Sequence, residues 1–298
     1  MKSFPFKKID AFTRGLSSGN PCACIYLNSV RDISSKEMQQ IAQELKCFVN
    51  EVIYLFPDEE CFLLKYYSAE CEVNFCGHGT VGIMYDLISN SADLLRQKII
   101  RIKVKDVRLD VFNKIVESDA VFITAPPPLF HRLPLPNKEI AAALLTEENR
   151  ISARYQTALI NAGLNTLIVP LADLKTCLEL LPDEKLLKEF CLTRGIDMVL
   201  VFTDEVADRT NKFRVRVFAP KYGYLEDPAT GSGNSAFGNY LLQNNLWDGA
   251  LVGIEQNSSY DLPNIIKLGT VIDNGNKNVV FGGAAVVKIS GEYRLGGF

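Results

Sequence analysis

The sequence predicts an α+β protein made of two halves built on one plan. Three observations predict it. Strand-like apolar segments outnumber helix-like ones throughout the 298 residues. Each half carries a strand, a loop, paired glycines and a helix start: Cys76-Gly77-His78-Gly79-Thr80 in one, Thr230-Gly231-Ser232-Gly233-Asn234 in the other. Between the halves, residues 125–137 hold five prolines in thirteen positions, and proline removes backbone donors and fixes φ, so this run is expected to be a boundary and not an element. The expected division is 1–124 and 125–298, with the last strand free to pack back on the first lobe.

The first half reads as strands at 6–13 and 23–27, the second following the turn Gly19-Asn20-Pro21. A helix comes next. Ser34 and Glu37 form a capping box, and Met38, Ile41, Ala42 and Leu45 recur at helical spacing. Strands follow at 49–56 and 61–67. The first glycine loop then opens a helix over 80–89, and strands at 99–104, 108–112 and 120–124 close the half. The second half reads as a helix at 138–145, strands at 155–161 and 164–170, and a helix from Pro182 that stops before Gly195. Strands at 197–203 and 212–219 lead to the second glycine loop and a helix at 234–246. Strands at 251–256, 264–272, 278–282 and 285–289 finish the chain. Paired glycines set in the same context in both halves indicate an internal duplication.

Composition excludes several functions. Apolar residues make up 47% of the chain, charged residues 22%, and the net charge is −3 without a long block of one sign. That excludes the basic footprint of a nucleic-acid binder and the polarity of a disordered chain. No apolar run approaches the roughly 20 residues that span a bilayer, and the N-terminus has no apolar signal segment, so a cytoplasmic protein with no membrane partner is expected. Eight cysteines and two histidines show no spacing typical of structural zinc, and free thiols are expected. Cys22 and Cys24 read as small core residues, and His131 as a surface residue of the proline run.

Glycines at a helix start let backbone N–H groups approach a ligand, and that end of a helix favours an anion. Two such starts suit a small carboxylate. Residues 77–82 spell G-x-G-x-x-G, but they do not follow a strand directly and no acidic residue lies at the next strand end, so dinucleotide binding is excluded. Neither loop carries the Gly-Lys-Ser/Thr of a phosphate-binding loop. Glu51 shares a strand face with Val49, Ile53 and Leu55. There it is either a buried carboxylate with its pKa raised toward neutrality, fit for a general base, or a solvated acid at a strand start. Asp227, which follows Glu226 in an expected loop, is either a catalytic acid or an ordinary acid ahead of a helix. His78, between two glycines, is oddly placed for a core histidine and is a site candidate.

Together these residues resemble the signature of the PhzF family, in the diaminopimelate-epimerase-like superfamily. Gly19-Asn20-Pro21, Asn50-Glu51, Cys76–Thr80, Glu226-Asp227-Pro228-Ala229-Thr230-Gly231-Ser232 and Gly282–Val286 stand in the family's order, and the likeness covers nearly the whole chain. The resemblance implies two similar lobes, each a mostly antiparallel sheet rolled around a central helix. It implies a homodimer without metal or organic cofactor, and an isomerase for a small cyclic carboxylate like trans-2,3-dihydro-3-hydroxyanthranilate. By that likeness Glu51 moves the proton, with His78, Asp227 and Ser232 as partners. Backbone donors of Gly77, His78, Gly231 and Ser232 hold the substrate, walled by Cys76, Gly79 and Thr230. Thr230 stands where related racemases place a second cysteine, which excludes a two-thiol mechanism. A one-sided lyase or epimerase using Cys76, or a metabolite-binding protein, is the alternative. The sequence departs from the pattern at Val52 and across 255–264, where the usual Gln-Gly and a later arginine are missing.

Overall fold

The computed structural model describes residues 2–132, 135–273 and 275–296. Contacts divide it into two compact units, residues 2–13, 18–124 and 282–296 in one, and 14–17 with 125–281 in the other.

In the first unit the chain runs β1 (Lys2–Ala11), β2 (Asn20–Tyr26), α1 (Ser35–Glu44), β3 (Glu51–Pro57), β4 (Phe62–Ser68), β5 (Glu72–Val73), α2 (Gly77–Ser89), α3 (Ala92–Leu95), β6 (Ile99–Val104), β7 (Val107–Asn113), α4 (Ile115–Ser118) and β8 (Val121–Thr124). The second unit runs β9 (Leu129–His131), α5 (Asn137–Ala143), β10 (Ala158–Asn161), β11 (Asn165–Pro170), α6 (Leu174–Glu179), α7 (Glu184–Arg194), β12 (Met198–Thr203), β13 (Phe213–Phe218), β14 (Glu226–Asp227), α8 (Gly231–Gln243), β15 (Val252–Gln256) and β16 (Asn264–Asp273). Then β17 (Asn276–Gly283) ends the excursion and β18 (Ala285–Leu295) pairs antiparallel with β1.

The pairings show one plan used twice. In the first unit β1–β2 is antiparallel, β2–β3 parallel, β3–β4 and β4–β5 antiparallel, β4–β6 parallel and β6–β7 antiparallel. In the second, β10–β11 is antiparallel, β11–β12 parallel, β12–β13 and β13–β14 antiparallel, β13–β15 parallel and β15–β16 antiparallel. Even the outer strand is repeated, as β18 on β1 and β9 on β10. α2 packs against β1, β2, β3, β8 and β18, and α8 against β10, β11, β12 and β16, so each unit wraps its strands around one helix. Both helices are accordingly buried along most of their length.

Each sheet has a second layer on its other face. α1 is held by the capping box, Ser34 and Glu37 bonding reciprocally, and its Met38, Ile41 and Ala42 meet Ala23, Ile25, Val52, Tyr54 and Phe56. In the second unit α6 and α7 cover Leu167, Val169, Val199, Val201 and Phe218. Gly195 ends α7 at φ 65°. α6, capped by Asp173, was not expected from the sequence, because its apolar run is too short to show a period.

Two expectations are corrected. The proline run is not without structure: residues 129–131 form β9, since the three prolines before them leave their backbone groups free to pair with β10. His131 lies on this strand and is exposed. Leu133 and Pro134 of the run fall outside the described residues. Glu226-Asp227 is not loop but a short strand on β13.

Candidate functional site

Strand alternation places Glu51. Val52, Tyr54 and Phe56 turn toward α1, so Glu51, Ile53 and Leu55 turn toward α2. Val52, the departure beside Glu51, is thereby a core residue on the opposite face. Gly79 then lets the first turn of α2 come close, since a Cβ there would lie 2.6 Å from Ile53 Cδ1.

The result is a compact trio. His78 Nε2 lies 3.4 Å from Glu51 Oε2. Cys76 Sγ lies 3.5 Å from His78 Nδ1 and 3.8 Å from Nε2. Cys76 is buried, and the Glu51 and His78 side chains are 22% and 11% exposed. Among the described residues, Glu51 Oε2 is buried without a hydrogen-bond partner. Burial pushes the Glu51 carboxyl up to about 7, since little compensates the loss of water around its charged form.

α2 begins here without a side-chain cap on Cys76, the residue before its first turn. The backbone donors of Gly77, His78 and Gly79 belong to the end of a helix that attracts anions. The turn is pinned from behind: the Thr80 hydroxyl donates to the Cys76 carbonyl at 2.7 Å and lies 2.7 Å from the buried Tyr66 hydroxyl.

The second unit builds the matching loop. Thr230 precedes α8, again without a side-chain cap, and Asn234 Nδ2 donates to its carbonyl at 2.9 Å, where Thr80 served in the first copy. Asp227, Thr230 and Gly231 are buried and Ser232 is half-buried. Asp227 Oδ1 accepts from the Ala229 N–H at 3.2 Å. Its neighbour Glu226 is engaged elsewhere, in a two-pronged pair with Arg216 at 2.8 Å to each oxygen. The sequence-predicted residues thus fall into two groups: Glu51, Cys76, Gly77, His78 and Gly79 in the first unit, Asp227, Thr230, Gly231 and Ser232 in the second.

Sequence reasoning missed the residues that hold the second loop. Gln256, fully buried, accepts from Thr230 N–H at 3.1 Å and Asn234 Nδ2 at 2.8 Å, and donates to Asp227 carbonyl at 2.8 Å and Thr230 Oγ1 at 3.1 Å. Asn264 Nδ2 donates to the Pro228 carbonyl at 2.8 Å. Beside them Glu255 and Arg214, neither exposed, pair at 2.8 Å, and Arg214 Nε donates to the Asn257 carbonyl. Asn257 itself sits at φ 112°, a conformation that suits glycine, so the atypical residue keeps the turn a glycine would make. The available signal was the pair Arg214 and Arg216 in an apolar strand, because buried arginines are paired.

Three donor atoms of Glu51, Cys76 and His78 lie within 4.8 Å of one another. No helix among the described residues is long and apolar enough to cross a membrane.

Residues 9–291 match the family model PhzC-PhzF, phenazine biosynthesis-like protein. A Bacillus subtilis (strain 168) protein named uncharacterized isomerase YfhB is 29% identical over 246 residues, 81% of this chain and 82% of its own. The crystal structure of a Bacillus anthracis phenazine biosynthesis protein of the PhzF family superposes with a TM-score of 0.87 at 23% identity, covering 99% of this chain and all of the other. A hydroxyproline epimerase from Agrobacterium vitis, solved with trans-4-hydroxy-L-proline, superposes with a TM-score of 0.62 at 12% identity over 98% of this chain and 91% of its own. The fold is diaminopimelate-epimerase-like.

Proposed function

The chain belongs to the phenazine biosynthesis-like PhzC-PhzF family, and on that premise we propose that it is an isomerase that shifts a proton on a small cyclic carboxylate. One observation carries the reading: a buried carboxylate oxygen on Glu51, without a hydrogen-bond partner, beside His78 at the start of α2. The names of relatives agree, several being called isomerases.

In the proposed step the Glu51 carboxylate takes a proton from a ring carbon. The C–H electron pair passes into the conjugated system ending on the substrate carboxyl, and the protonated Glu51 returns the proton to a second carbon. A group with a pKa near neutrality suits both halves of the exchange. Backbone donors at Gly77 and His78 stabilise the developing negative charge, and Gly231 and Ser232 offer donors of the same kind in the second unit. His78 orients the substrate. The reaction so written needs no metal or organic cofactor. A cytoplasmic homodimer, with no nucleic-acid or membrane partner, completes the proposal.

A second reading has an observation behind it. Cys76 Sγ, 3.5 Å from His78 Nδ1, is placed for a one-sided epimerase or lyase reaction through the thiol. The test is proton NMR in D₂O with cyclic carboxylates, trans-2,3-dihydro-3-hydroxyanthranilate among them. Isomerisation that survives Cys76→Ser supports the Glu51 reading. Turnover abolished by Cys76→Ser but not by Glu51→Gln supports the thiol. Binding without turnover of any substrate leaves a metabolite-binding protein and ends both.

A further inference from the structure

We propose that Glu51 Oε2, His78 Nε2 and Cys76 Sγ form a site for a soft divalent cation, zinc foremost, whose binding switches the protein off. The three donors come from two elements, the start of β3 and the first turn of α2, and so make no ligand pattern in the sequence.

The geometry carries the inference. Tetrahedral zinc with Zn–S of about 2.3 Å, Zn–N of about 2.05 Å and Zn–O of about 2.1 Å requires N···O edges of about 3.4 Å and S···N edges of about 3.6 Å. The corresponding separations are 3.4 Å from His78 Nε2 to Glu51 Oε2 and 3.8 Å from Cys76 Sγ to His78 Nε2, and no pair of the donors exceeds 4.8 Å. The Glu51 oxygen is buried without a hydrogen-bond partner. Thiolate, imidazole and carboxylate together suit zinc and exclude magnesium or calcium, which want oxygen ligands. On binding, the Cys76 S–H ionises, its proton passes to solvent, and the sulfur bonds the metal. A water takes the fourth position.

Zinc held there occupies the oxygen that the proposed reaction uses as its base. The inhibition therefore rests on the proposed function, whereas the binding does not.

Cobalt is the probe, because tetrahedral Co²⁺ absorbs in the visible and its thiolate bond adds a near-ultraviolet band. The exposed Cys47 and Cys71 are first replaced by serine, leaving Cys76 with the remaining buried thiols. One equivalent of Co²⁺ is expected to develop both bands, and Zn²⁺ to bleach them. Cys76→Ser is expected to remove the thiolate band. Glu51→Gln and His78→Asn are expected to weaken binding by at least the roughly 10–100-fold seen when a mere outer-shell partner is lost. Circular dichroism of each variant reports the fold. Absence of the bands from a folded protein, or their survival in Cys76→Ser, overturns the site. Zn²⁺ is then expected to stop deuterium exchange into substrate at the stoichiometry cobalt defines. If the metal-free protein exchanges nothing, the functional reading fails while the cobalt bands still decide the site. If exchange continues with the metal bound, the inhibitory role is overturned alone.

Discussion

Glu51 and Met198 hold the same position in two copies of one strand. Val52 pairs with Tyr67, which pairs with Glu72, and Val199 pairs with Phe218, which pairs with Glu226. Counting on from the next residues, Val73 and Asp227, the third position is Cys76 in one copy and Thr230 in the other, each just before its helix. The residue before Val52 is therefore matched by the residue before Val199. One copy carries a carboxylate there and the other a thioether. The duplicated fold thus supplies two helix starts but one carboxylate at this position.

That asymmetry has a cost in stability. Glu51 titrates at about 7 in the folded protein against an ordinary value of 4.5. A raised folded-state value favours the folded state fully below pH 4.5, and the advantage is lost as pH rises through 7. The difference of 2.5 pH units amounts to roughly 3 kcal/mol at most. Glu51→Gln, which cannot ionise, is expected to be more stable than the parent at pH 8 by about 1–3 kcal/mol and to lose this gain toward pH 4. Urea denaturation at the two pH values measures it.

The paired glycines are not equivalent. A methyl on Gly79 would meet Ile53 at 2.6 Å, whereas on Gly233 its nearest neighbour is the flexible Met198 sulfur at 3.3 Å. Gly79→Ala is expected to lose about 1–3 kcal/mol by overpacking. Gly233→Ala is expected to be neutral or to gain up to about 1 kcal/mol from helix propensity. Equal losses in the two denaturation curves would contradict the account of α2 docking.

Gln256 is expected to be the most sensitive support of the second loop. Gln256→Leu leaves the Thr230 N–H, and one bond of Asn234 Nδ2, without their acceptor in a buried place. The expected loss is about 2–4 kcal/mol. Carboxylate binding, followed by calorimetry, should weaken in the same variant, whereas a change at exposed Leu262 should leave both unaltered.

Local chemistry made much of this readable beforehand. The Ser34–Glu37 capping box and the stop at Gly195 are short-range features, and each appears where the residues place it, whereas Val49, expected on the face of Glu51, packs with Val52, Tyr54 and Phe56 against α1. The repeated glycine loops revealed the duplication because their spacing is also local. What stayed hidden depends on partners distant in sequence. Nothing near Gln256 says that it reaches back 26 residues to Thr230. Nothing near Glu226 says that the antiparallel neighbour β13 brings Arg216 to it. The resemblance alone grouped Cys76, His78 and Glu51, and their contact was not readable locally, since β3 and α2 meet only in the folded unit.

The acidic limb of the pH profile follows from the same carboxylate. A base must be ionised to act, so kcat/KM is expected to rise with pH through about 7 and then level. A profile flat from pH 5 to 9 in the parent protein would place the proton transfer elsewhere.

The most direct measurement is deuterium incorporation from D₂O into a turned-over substrate, with the parent, Glu51→Gln, Cys76→Ser and Met198→Leu compared at pH 8. Glu51→Gln is expected to slow incorporation by roughly 10²–10⁴-fold, as loss of a general base does, while the other two retain most of it. Incorporation at the parental rate in Glu51→Gln would contradict the account.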